Sequence, residues 1–62
     1  MNVRLMELFR SETDPYRRIQ SANNHFTGTV IARTELDDFD GVKDAVETYK
    51  QYLKEVNNEH DN

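Results

Sequence analysis

The sequence predicts an α+β domain of order β-β-β-α: a three-stranded antiparallel meander covered by one amphipathic helix. Three observations lead there. Phe39, Val42, Val46, Tyr49, Leu53 and Val56 recur at spacings of 3, 4, 3, 4 and 3, which keeps one helix face apolar. Residues 3–10 place Leu5, Met6, Leu8 and Phe9 on both faces of an extended segment. Residues 29–35, TVIARTE, are rich in the β-branched residues that favour strands.

The first expected strand is Val3–Arg10. Apolar side chains on both of its faces imply a second burial surface, so Leu5, Met6, Leu8 and Phe9 are the candidate dimer interface. Ser11 to Pro15 carries turn chemistry, with Asp14-Pro15 presetting the backbone for a hairpin. The second strand, Tyr16–Asn23, is polar. A second turn, NNHFTG over residues 23–28, puts Phe26 at its tip, where it either folds back onto the sheet edge or contacts a partner. The third strand is Thr29–Glu35.

The helix is expected over Asp37–Val56. Asp37, Asp38 and Asp40 supply capping and negative charge at its start, and Lys50 and Lys54 lie toward its end. Asn57 and Asn58 are the expected stop. Gly41 is the weak point of this helix, unless a close approach requires it. Residues 1–56 thus form one domain, and residues 57–62 a disordered polar tail.

At 62 residues the chain is near the lower limit for an independent core. It has no cysteine, which removes disulfides and thiolate metal sites. Its two histidines are far apart in sequence, and no cofactor is implied. A homodimer is the remaining route to more buried area. The N-terminus carries charges where a signal peptide would be apolar, and no apolar run is long enough to span a bilayer. A cytoplasmic protein without a membrane segment is the expectation.

The net charge of -4 divides unevenly. Residues 1–34 balance to +2 and hold all five arginines, whereas residues 35–62 balance to -6. This argues against direct nucleic-acid binding, which needs a basic footprint.

Four stretches resemble the YegP-like family of small uncharacterised proteins. MELFRSETDPYRR, residues 6–18, is similar to that family's first strand, polar turn and second-strand start. Arg18-Ile19 with Ala22-Asn23 resembles its Arg-Leu-x-x-x-Asn run, and Gly28 with Val30-Ile31-Ala32 its Gly-x-Val-Ile-Ala segment. GVKDAVETYK, residues 41–50, resembles its helix. The chain departs from the pattern at Asn24, His25, Phe26 and Thr27, which look inserted, and at Asp44, Ala45 and Tyr49. The resemblance implies pairing of two copies, with a strand after the helix exchanged between them. It implies no activity and no catalytic residues.

The functional expectation is therefore a small non-catalytic interaction protein acting as a homodimer. The alternative is a small acidic, phage-encoded inhibitor of a host defence or nucleic-acid-processing enzyme, working by charge complementarity. Phe26, Asp37, Asp38, Asp40, Asp44 and Glu47 are its candidate partner contacts, with Glu55 on the same acidic helix. Arg17, Arg18 and Arg33 are candidate anion contacts, because the planar guanidinium matches carboxylate and phosphate. Ser11, Ser21, His25 and His60 are the residues from which a nucleophile–base pair would be drawn, and nothing in the sequence brings them together.

Overall fold

The computed structural model describes residues 1–60, excluding the side chains of 59 and 60. It corrects the expected fold. The described residues hold no strand; the chain is an all-α three-helix bundle, with α1 Val3–Ser11, α2 Arg18–Glu35 and α3 Phe39–His60. The three expected strands are helical, apart from Tyr16 and Arg17, which lie in a turn, and so is the NNHFTG segment expected to turn between the second and third.

Each correction has a local cause. In residues 3–10, Leu5, Met6 and Phe9 stand at i, i+1 and i+4, which is one helix face as readily as two strand faces. Asn2 decides the matter. Its side chain caps α1, accepting a hydrogen bond from the Leu5 N–H at 3.0 Å. Asp14-Pro15 opens a turn over residues 15–17 that leads into α2 instead of closing a hairpin. The Asp14 carboxylate accepts from the Tyr16 N–H at 2.9 Å, and its carbonyl from the Arg17 N–H at 3.0 Å. Proline's fixed φ suits a helix start as well as a turn. In α2, β-branched Thr29, Val30 and Ile31 are carried in the helix. The Thr29 hydroxyl donates to the His25 carbonyl one turn back, at 2.9 Å.

The α2–α3 connection is a tight Schellman turn. The Asp38 N–H donates to the Arg33 carbonyl at 2.8 Å and the Asp37 N–H to the Thr34 carbonyl at 3.0 Å. Asp37 takes the left-handed position, with φ of 55°. The start of α3 is capped by Asp38, whose carboxylate accepts from the Gly41 N–H at 2.9 Å. The expected stop at Asn57 and Asn58 is passed, and α3 runs on to His60. Of the expected tail, residues 57–60 are helical and 61–62 lie outside the described residues.

The core consists of Leu5, Met6 and Phe9 from α1, Ala22 from α2, and Ala45, Tyr52 and Val56 from α3. Phe9 has no exposed surface, and its ring lies 5.6 Å from Tyr49 and 5.3 Å from Tyr52. Among the described residues, the polar residue buried with them is Thr48. Its hydroxyl donates to the Asp44 carbonyl at 2.8 Å and accepts from the Asn2 N–H at 2.9 Å, so both bonding roles are used. The Met1 amino group lies 3.0 Å from the Asp44 carboxylate, and Arg10 pairs with Glu55. These three links hold α1 along a single line of α3.

The bundle is a rod. Its Cα envelope measures 40 by 17 by 14 Å and its radius of gyration is 11.9 Å, against roughly 10.5 Å for a compact chain of this length. α1 is half the length of α2, so it covers only one face of the α2–α3 hairpin.

The two glycines give opposite expectations. A Cβ at Gly28 would meet nothing within 4 Å, so Gly28→Ala should stabilise the fold by about 0.5–1 kcal/mol through helix propensity. A Cβ at Gly41 would fall 2.8 Å from the capping Asp38 Cγ and 3.0 Å from Arg33 Cδ, so Gly41→Ala should destabilise by about 1 kcal/mol as the cap is displaced. Urea denaturation of both variants measures these signs. Thr48→Val should cost about 1–3 kcal/mol in the same assay by stranding the Asn2 N–H, whereas Thr48→Ser, which keeps the hydroxyl, should recover most of it.

Candidate functional site: an open face of the hairpin

The candidate dimer residues are distributed differently from the expectation. Leu5, Met6 and Phe9 are buried inside one chain, where they hold the three helices together. They are not available to a second copy. Leu8 alone lies at the surface, in the groove between α1 and α2.

The apolar face of α3 is also rotated from its expected position. Core contacts are made by Ala45, Thr48, Tyr52 and Val56, at spacings of 3, 4 and 4. Of the expected series only Val56 is fully buried. Val42, Val46, Tyr49 and Leu53 are half-buried, and Phe39 is 61 % exposed. At about 100° per residue, Val42, Val46, Leu53 and Phe39 point about 120–180° away from Thr48. Thr48 faces α1, so this stripe faces away from it, on the side of the hairpin that α1 leaves open.

Phe26 packs against the core instead. It lies in the middle of α2 and stacks on Tyr49, with ring centroids 4.7 Å apart. Both rings are half-buried. Val30, half-buried, and Ile19, exposed, lie on the same helix.

Half of the acidic candidates are engaged within the chain. Asp38 caps α3 and lies 3.5 Å from Arg33. Asp44 holds the N-terminus and Glu55 holds Arg10, whose pKa is raised by the hydrogen bond and charge of that carboxylate. Asp37, Asp40 and Glu47 remain exposed.

The arginine candidates do not form one patch. Arg18 and Arg33 stand 15 residues apart on one helix, roughly 22 Å, at opposite ends of α2. Arg17 pairs loosely with Asp14 at 3.8 Å, and Arg33 with Asp38. The nearest approach to a basic site is instead the groove of about 520 Å³ between α1 and α2, where Arg4, His25 and Arg33 line a floor that includes Leu5 and Leu8.

The structure does bring Ser21 and His25 together, one turn apart on α2, beside Glu12 in a shallow cleft. No hydrogen bond joins the Ser21 hydroxyl to the imidazole. Ser11 is bonded to the Leu8 carbonyl in its own helix, at 2.6 Å. The His60 side chain lies outside the described residues. Among the described residues, no group of three or more histidine, aspartate or glutamate side chains is placed to hold a metal ion, and no helix is long and apolar enough to cross a membrane.

No family model, curated protein or solved structure matches the chain. The strand arrangement implied by the YegP-like resemblance is replaced by helices, including the segments that carry the resemblance.

Proposed function

We propose that this chain is a small non-catalytic interaction protein that acts as a homodimer, with the open face of the α2–α3 hairpin as its contact surface. The observation that carries this reading is the α3 stripe itself. Four apolar side chains, Phe39, Val42, Val46 and Leu53, follow one another along about 21 Å of helix without full cover from their own chain. A helix in a small domain keeps such a stripe in water at a cost in stability, and a partner removes that cost. Leu5, Met6 and Phe9 belong to the fold in this reading, and α3 to the partner.

A second reading, an acidic inhibitor of a nucleic-acid enzyme, draws on exposed Asp37, Asp40 and Glu47. With Asp38, Asp44 and Glu55 engaged internally, it has half of the acidic set to work with.

Sedimentation equilibrium separates the two. The protein should be a dimer at about 100 μM, and Val46→Lys should be a monomer with unchanged helical circular dichroism. A wild-type monomer at that concentration discards the homodimer.

A further inference from the structure

The open face has polarity along its length, and this specifies how a second copy sits. Resting on the dimer reading, we propose that two copies pair face to face with their α3 helices antiparallel, about a two-fold axis at the level of Val46 and perpendicular to the rod.

The Phe26–Tyr49 stack fixes which parts of the antiparallel hairpin are level with each other. Counting outward from it, Arg17 and Arg18 come level with the last turns of α3, on the same side of the stack as Lys50 and Lys54. This open end carries charges of both signs, with Arg10 paired to Glu55 and Arg17 to Asp14, and so lacks the acidic excess of the other end. The opposite, looped end carries Asp37, Asp38 and Asp40. A two-fold axis parallel to the rod would set acidic loop on acidic loop. An axis perpendicular to the rod removes that repulsion by setting each acidic loop against the other copy's mixed-charge end, near Lys50 and Lys54, and it opposes the two α3 dipoles.

Three of the four stripe residues have the symmetry that such an axis needs, while Val42 falls opposite Lys50 of the second copy. Phe39 and Leu53 are each seven residues from Val46. An axis at Val46 therefore lays Phe39 on Leu53 of the second copy, and Val46 on Val46. An isologous interface requires this self-complementarity. Val46 also points almost directly away from the line of α3 that binds α1, which makes it the centre of the open side.

Disulfide trapping tests the arrangement, and the cysteine-free chain gives it no background. Single variants Val46→Cys, Phe39→Cys, Leu53→Cys and, on the α1–α2 side, Leu8→Cys would be oxidised mildly at about 100 μM. Val46→Cys should convert almost wholly to covalent dimer, since packed helices bring residues on the axis within disulfide range. Phe39→Cys alone should cross-link little, because its two copies would lie roughly 21 Å apart. An equimolar mixture of Phe39→Cys and size-tagged Leu53→Cys should form the mixed disulfide, which keeps the arrangement testable if Val46→Cys folds poorly. Efficient cross-linking of Leu8→Cys, or of Phe39→Cys alone, in a protein that sediments as a dimer would overturn the antiparallel arrangement while leaving the dimer intact. A wild-type monomer with equally slow cross-linking of all four variants would overturn both.

Discussion

The fold depends on the burial of Phe9 against Tyr49 and Tyr52. α1 is only nine residues long, too short to persist as an isolated helix in water. It exists because Leu5, Met6 and Phe9 pack against α2 and α3, which also meet each other through the Phe26–Tyr49 stack. α2 contributes one fully buried side chain, Ala22, over eighteen residues. Truncating a buried aromatic costs about 3–5 kcal/mol, a large share of what a domain of this size has in total. The bundle is therefore cooperative by necessity: the shortest element supplies the largest buried side chain.

The polar contacts around that core fix its register. Thr48 is buried, yet both of its bonding roles are satisfied, one by its own helix and one by the Asn2 N–H. The same Asn2 caps α1 through its side chain. One residue therefore ends the chain's free N-terminus, starts α1 and ties it to α3. The ion pairs of Met1 with Asp44 and Arg10 with Glu55 follow the same line. They are surface pairs and worth little individually. Their structural consequence is to assign that line of α3 to α1, which leaves the opposite line uncovered.

How much of this was legible in the sequence varies by element. The existence of α3 was readable from its 3-4 spacing over twenty residues, because no strand gives that period. Its core-facing side was not. Ala45 and Thr48 carry too little apolar signal to outweigh Phe39 and Val46, although they are what α1 packs against. α1 was ambiguous because a run such as Leu5, Met6, Leu8, Phe9 satisfies both periods within nine residues, and only the Asn2 cap distinguishes them. In α2, Gly28, the β-branched run after it and the polar residues 23–25 all argue locally against a helix. Tertiary packing of Ala22 and Phe26 overrides them. Candidate site residues chosen on the strand reading moved accordingly. Leu5, Met6 and Phe9 became core, Phe26 passed from a loop tip to a mid-helix stack, and Arg18 and Arg33 separated to opposite ends of one helix.

The misreading of α3 bears directly on function. The residues that made the helix recognisable are largely those that its own chain leaves half-covered, and two of the residues it packs with, Ala45 and Thr48, are small or polar. A chain under no demand beyond its own folding would place its largest apolar side chains inward. Here Phe39, Val42, Val46 and Leu53 are set aside from the core, while Gly28 weakens α2 and Asp37 occupies a left-handed position that glycine would fill with less strain. Stability is thus left ungained at sites facing water, and apolar surface is concentrated on one line. That combination is coherent for a protein whose last layer of packing is supplied by another molecule. The distribution of charge along the same rod, acidic at the loop and mixed at the open end, is what the proposed pairing with a second copy turned end for end draws on.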